Sequence, residues 1–226
     1  MGCILKGGGG LYSRVVVGAV VLAAGAGSRL GHRPKCLLEL GGVPLIRRTL
    51  IALSGAGVDE VVVVLGHHAE LIEPLVQDFP VTLARNPQPD DGIVSSQRVG
   101  LAALAGKLDA VMVVLADQPL LGAADITALI GAWKKRPEGT RVVQPHVGGE
   151  RANPVIFDAT VRDDIISGQL NAGCRQWQAA HPEQVLAWPS DNRRYRVDID
   201  TPEDIVAFER DTGHVLRWPA GLAVPV

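Results

Sequence analysis

The stretch Val17–Lys35, VGAVVLAAGAGSRLGHRPK, limits the possible folds of this chain more than any other. It opens as an apolar run and closes as a loop rich in glycine and base. A strand with no polar face cannot be covered from one side alone, so it must lie inside a parallel sheet with other elements packed on both faces. The loop that follows has a high density of backbone N–H groups, with Arg29, Arg33 and Lys35 close by, and such a loop is a cradle for phosphate. The residues therefore point to an α/β enzyme that handles phosphate.

The rest of the chain alternates in the same sense. After Val15–Leu22, a tight turn at Gly41-Gly42 leads to Pro44 and a helix over Leu45–Leu53, closed by Gly55-Ala56-Gly57. The pattern predicts a strand at Val61–Leu65, a helix at Ala69–Asp78 and a strand at Val81–Ala84. The polar turn Asn86–Gly92 precedes a helix at Ser95–Leu104, interrupted by Gly100. Ala110–Leu115 is the next strand, ended by Asp117-Gln118-Pro119, and Ala123–Trp133 the next helix. This βαβα order predicts a doubly wound, mostly parallel Rossmann-like sheet with helices on both faces. Ligands bind such sheets beyond the carboxyl ends of the strands, where strand order reverses.

The second half is less regular. Short strands are expected at Arg141–Pro145, Pro154–Phe157, Val185–Trp188 and Tyr195–Val197, and helical pieces at Val161–Ser167 and Ala172–Ala180. Thr201-Pro202-Glu203-Asp204 reads as a capped helix start, running to about Arg210. The organisation expected is a leader at residues 1–14, disordered, and one domain over 15–226. Within it, residues 15–135 would bind nucleotide and 136–215 would bind the acceptor and complete a metal site.

Composition narrows the function. A formal net charge of −2 offers no electrostatic case for nucleic acid, and no run reaches the length of a membrane span. Cys3, Cys36 and Cys174 are odd in number and widely spaced. They frame neither a disulfide domain nor a zinc site, and read as reduced thiols in a cytoplasmic protein. Two phosphate motifs fail on inspection. The dinucleotide pattern G-x-G-x-x-G has Leu30 at its last glycine, and Leu65-Gly66-His67 supplies no acidic residue for a ribose. The P-loop pattern fails because Lys35 has no glycine before it and no Ser or Thr after it.

What remains carries a resemblance. LAAGAGSR at Leu22–Arg29, Pro34-Lys35 and LGG at Leu40–Gly42 resemble the opening of the MobA-like nucleotidyltransferases, and most of all their molybdenum cofactor cytidylyltransferase branch. Ser95-Ser96, Gly100-Leu101, LADQP at Leu115–Pro119, Asn153-Pro154-Val155 and DIDTPED at Asp198–Asp204 continue it in order. Leu170-Asn171 and Arg151-Ala152-Asn153 depart from the pattern, both on the acceptor side.

The resemblance implies Mg²⁺-dependent transfer of a nucleotidyl group from a nucleoside triphosphate, CTP favoured over GTP, with release of pyrophosphate. The implied acceptor is a phosphorylated pterin such as molybdopterin, with a molybdoenzyme receiving the product. Leu22, Ala23, Ala24, Gly25, Gly27, Ser28, Arg29, Lys35, Ser95 and Ser96 are the implied nucleotide-binding residues. Arg29 and Lys35 would stabilise charge on the transferring phosphate. An acceptor phosphate is already an anion, so no general base is needed. Asp117 and Asp200, each at a strand end, would hold Mg²⁺. Asp198 is a second ligand or a group behind the ligands. Ser95 and Ser96 serve equally well as N-cap residues, and His67-His68, Trp177 and Trp188 read as surface and packing residues. Two other functions stay open: an NAD(P)-linked oxidoreductase, which the glycine loop allows, and a non-catalytic cofactor-binding or chaperone protein.

Overall fold

The structure, a computed structural model, describes residues 14–168 and 172–222. The leader expected at 1–14 therefore lies outside the described residues except for Arg14, whose guanidinium pairs with Asp59 at 2.7 Å. The departure at Leu170-Asn171 lies outside them too.

The strands are β1 (Val17–Ala23), β2 (Glu39–Leu40), β3 (Val43–Pro44), β4 (Glu60–Leu65), β5 (Thr82–Arg85), β6 (Ala110–Leu115), β7 (Val142–Val147), β8 (Glu150–Arg151), β9 (Val155–Asp158), β10 (Val185–Pro189) and β11 (Leu216–Arg217). The helices are α1 (Leu45–Gly55), α2 (Ala69–Ile72), α3 (Ile93–Ala103), α4 (Ala123–Lys134), α5 (Ala159–Ser167), α6 (Cys174–Ala180) and α7 (Pro202–Thr212). The main sheet runs β10-β7-β9-β6-β1-β4-β5, with β8 paired to β7. β1, β4, β5 and β6 are mutually parallel, whereas β9 runs antiparallel to both β6 and β7. The chain winds outward from β1 through β4 to β5, then returns to lay β6 on the other side of β1. Strand order reverses between β1 and β6, and the crevice beyond their carboxyl ends is where such a sheet takes its ligand.

The apolar run of β1 is explained by two cores. Val17, Ala19, Val21 and Ala23 face one core with Ile46, Leu50 and Leu53 of α1 and Ile126, Leu129 and Trp133 of α4. Val20 faces the other with Leu101 of α3, Val161 and Ile165 of α5 and Trp177 of α6. With a side-chain period of two and both faces covered, no position of the strand can be polar. Gly100 has a specific reason. A Cβ there would lie 2.3 Å from Cγ1 of Val20 and 2.6 Å from Cγ2 of Val64, so α3 approaches the sheet at backbone distance. We expect Gly100→Ala to destabilise the fold by about 1–3 kcal/mol through overpacking, despite alanine's better helix propensity. Urea unfolding checks this, and a stabilised variant would contradict it.

A third cluster gathers Leu30, Leu38, Leu40, Leu45, Ile199, Phe208 and Leu216. It joins the glycine-rich loop to the C-terminal segment across most of the chain's length. A small sheet of order β11-β2-β3 accompanies it, and its β2–β3 turn places Gly41 and Gly42 at φ of 63° and 77°, the backbone that a two-residue hairpin requires.

Some elements differ from expectation. The helix expected over Ala69–Asp78 stops at Ile72 and becomes a 3₁₀ turn at Glu73–Leu75, where Pro74 has no N–H to continue the ladder. Tyr195–Val197 is not a strand. Arg193–Arg196 form a 3₁₀ turn capped by Asn192, whose side chain accepts from the Arg194 N–H. Asp200 accordingly does not stand at a strand end, because residues 197–200 pair with no strand. Among the described residues, no helix is long and apolar enough to cross a membrane.

Candidate active site

The geometry of the crevice begins with the loop after β1. Gly27 has φ of 64°, and a Cβ there would lie 1.8 Å from the Arg33 carbonyl oxygen. Only glycine lets the loop fold back this tightly. The turn Ser28–Leu30 then buries Leu30 in the third cluster, which leaves Arg29 exposed beside it. His68, itself at φ 61°, hooks the loop from β4 through a 3.0 Å contact between Nε2 and the Ala26 carbonyl. A second turn, Lys35–Leu37, buries Cys36 and Leu37 and turns Lys35 inward.

Lys35 meets two carboxylates. Its Nζ is 2.5 Å from Oδ1 of Asp200 and also pairs with Oδ2 of Asp117. Arg29 reaches Oδ2 of Asp200 at 2.8 Å. The two aspartates come from distant elements held in register by backbone. The Ile199 N–H donates to the Asp117 carbonyl at 3.2 Å. Gln118, buried, donates through Nε2 to the carbonyls of Tyr195 at 3.0 Å and Asn153 at 3.3 Å. The start of α7 fixes the other end, since the Asp204 carboxylate accepts from the N–H groups of both Asp200 and Thr201. The same capping predicted from Thr201-Pro202-Glu203-Asp204 thus also holds Asp200 in place.

The electrostatics follow from burial. Desolvation raises the Asp117 carboxyl above its usual range, more than neighbouring Lys35 lowers it, and Asp200 raises it further. Burial also acts to raise Asp200, but Lys35 and Arg29 outweigh it and hold that carboxyl below the usual range. For Lys35, burial disfavours the ammonium, and the two aspartates more than restore it, leaving it above its ordinary value. Asp198 is raised by burial and by the charges of Asp117 and Asp200. Burial, then Asp117, pushes the Cys36 thiol up to about 12, so it stays protonated and offers no nucleophile.

A cleft of about 360 Å³ opens over this cluster, in the size range of small-ligand sites. Leu22, Ala24, Gly25, Lys35, Ser96 and Asp117 line it, as do Ala26, His67, Pro89, Asp90 and Ile93. Ala23 lines a smaller adjoining pocket with Pro34 and Cys36. Gly27 and Ser28 line neither pocket, and Gly27 acts on the loop's shape. The serine pair divides. Ser96 accepts from the Asn86 side chain at 3.0 Å beside the cleft, while Ser95 donates to Asn86 Oδ1 at 3.1 Å and faces a neighbouring groove with Arg98. Sequence reasoning missed His67, Asp90 and Ile93. His67 Nε2 lies 3.0 Å from Asp90 Oδ1 across the cleft mouth. Their only sequence signal was position: His67 just after β4, Asp90 just before α3 and Ile93 at its first residue.

Oδ1 of Asp117 is buried and has no hydrogen-bond partner among the described residues. A buried carboxylate oxygen without a donor fits a cation. No group of three or more His, Cys, Asp and Glu side chains among the described residues is placed to enclose one. The orphaned Asp117 oxygen would serve a hard cation that takes one or two carboxylates and fills its sphere with water and substrate phosphates.

Residues 19–185 match the MobA-like NTP transferase domain family, and the chain belongs to it. Its sheet and flanking helices are the nucleotidyltransferase fold. Over 201 residues it is 30% identical to nicotine blue oxidoreductase of Paenarthrobacter nicotinovorans, covering 84% of this chain and 94% of that one. It is 40% identical to the bifunctional protein GlmU of Mycobacterium ulcerans over 214 residues, but spans only 43% of that longer protein. Among solved structures, a nucleotidyl transferase from Methanothermobacter thermautotroptrophicus aligns at a TM-score of 0.70 and 26% identity, covering 87% of this chain and 97% of that one. Rv0371C of Mycobacterium tuberculosis H37Rv, in complex with manganese, aligns at 0.65 and 22%, covering 88% of this chain and all of the other, a likeness of fold.

Proposed function

We propose that the chain transfers a nucleotidyl group, with CTP as the favoured donor, to a phosphorylated acceptor and releases pyrophosphate. The observation that supports this best is the convergence of Arg29, Lys35, Asp117 and Asp200 at the switch point of a sheet built for nucleotides. Asp117 and Asp200 would hold Mg²⁺, with Asp198 close by. When bound, the ion supplies charge neutralisation between two anionic reactants. The chain's own residues do the rest. The loop after β1 takes the triphosphate with its N–H groups, and Lys35 and Arg29 exchange their aspartate partners for phosphate oxygens as charge builds on the transferring group. We assign base and ribose to the side of the cleft lined by Leu22, Ala24 and Ser96. The LAAG opening and the serine pair are the features that favour CTP; a phosphorylated pterin such as molybdopterin as acceptor, with a molybdoenzyme as onward recipient, rests on the resemblance to the cytidylyltransferase branch alone.

One observation favours a second reading. The relative from Paenarthrobacter nicotinovorans, aligned over nearly its whole length, is by its name an oxidoreductase. On that reading the same crevice would hold the phosphates of a nicotinamide cofactor, and the Asp117–Asp200 pair would have no evident task. Calorimetric titration of the purified chain separates the two. We expect CTP with Mg²⁺ to bind and to give pyrophosphate release with a phosphorylated pterin. Tight NADPH binding with no triphosphate binding would overturn the transferase reading. Triphosphate binding with no pyrophosphate release from any acceptor would favour the non-catalytic reading.

A further inference from the structure

A second cleft, of about 720 Å³, shares no lining residue with the candidate active site. It is built on the small sheet β11-β2-β3 and the end of α7, and is lined by Arg48, Arg217, His214, Glu39 and the glycines of two turns. The contrast between Arg47 and Arg48 is informative. Arg47 makes two 2.8 Å bonds to Asp78 and lies over the Phe79 ring. Arg48, one position on, turns about 100° around α1 into the cleft. There its Nε is buried and has no acceptor among the described residues. No ion pair among those residues engages Arg48, Arg217 or Glu39. Arg217 and Glu39 stand directly opposite each other in the β11–β2 register, yet they too stay more than 4.0 Å from ion pairing.

Two guanidinium groups without carboxylate partners, one with a buried N–H unmet, are what a bidentate oxyanion satisfies. The glycines add access, because a Cβ at Gly41, Gly42 or Gly213 would meet nothing within 4 Å. Two features oppose an anion: the carboxylate of Glu39 and the carbonyl end of α7, equivalent to roughly half a negative charge. Arg48 and Arg217 together outnumber the single carboxylate of Glu39, which stands opposite Arg217 in the register. We propose that this cleft binds a small molecule through a phosphate or carboxylate group, independently of the nucleotide site.

The test is calorimetric titration of the full chain with sodium pyrophosphate and, separately, with citrate, at low ionic strength and without divalent metal. The better ligand of the two assigns the anion class. We expect Arg48→Gln/Arg217→Gln to weaken one of them by about tenfold or more, equivalent to about 1.4 kcal/mol. Glu39→Gln should tighten it, and Lys35→Met should leave this component unchanged. If the double variant does not fold by circular dichroism, Arg217→Gln alone replaces it, since Arg217 is exposed on a two-residue strand. Absence of binding by both probes, or binding that only Lys35→Met removes, overturns the proposal.

Discussion

Asp117→Asn should abolish pyrophosphate release while leaving the melting temperature unchanged or raised. The activity loss follows from the proposed role. Asp117 is the more buried of the two carboxylates, and its Oδ1 is the oxygen without a donor. Losing about 4 kcal/mol of transition-state stabilisation is roughly a thousandfold in rate. The stability effect follows from linkage. Desolvation raises the Asp117 carboxyl in the folded chain, so the fold favours its neutral form. A group raised in this way contributes most stability below its unfolded value and loses it as pH climbs through the folded one. Wherever the carboxylate is ionised it is therefore a net cost to the fold, and the neutral amide removes that cost. The advantage of the variant should shrink as pH falls and wild-type Asp117 takes up its proton. Differential scanning calorimetry at several pH values, beside a pyrophosphate assay, checks both halves. A melting point lowered by more than about 4 °C, or near-normal turnover, would contradict the assignment.

Lys35→Met should do the opposite to the fold while also losing activity. The ammonium is the shared counter-charge of Asp117 and Asp200, and its removal leaves two carboxylates facing each other. Breaking a fully buried pair costs about 3–5 kcal/mol. Lys35 retains 28% exposure, so solvent screening reduces this to about 1–3 kcal/mol, or roughly 3–10 °C for a domain of this size. Mg²⁺ should recover more stability in this variant than in wild type, because the cation replaces the missing positive charge. Turnover should fall about 10²–10³-fold through lost neutralisation of the triphosphate. An unchanged melting point, or no preferential recovery with Mg²⁺, would mean that the aspartates do not depend on Lys35. The two variants together make a sharp pair, one inert and at least as stable as wild type, the other inert and weakened.

Much of this was legible in the sequence, for reasons that particular residues show. β1, β6 and, beyond Glu60, β4 are buried on both faces, so each shows as a short apolar run bounded by turn residues. Their order alone located the crevice. The helix start at Thr201 was legible because its cap is local, four residues that satisfy one another. What escaped is non-local. β2, β3 and β11 are two residues each, too short to show a period, and β11 finds β2 across most of the chain. Tyr195 looked like a strand residue, but its ring is buried and its hydroxyl donates to the Asp125 carbonyl, so the backbone turns there instead. His67, Asp90 and Ile93 reach the cleft only because β4 happens to lie beside β1.

The third hydrophobic cluster also bears on how the protein is made. Leu30, Leu38 and Leu45 leave the ribosome well before Ile199, Phe208 and Leu216, the residues that cover them. The central strands can assemble beforehand, but closing so long a loop comes late in folding. Until it closes, Lys35 faces Asp117 without Asp200, and a patch of leucines stands open to solvent. The contact that covers those leucines is thus the same one that brings Asp200 to Lys35.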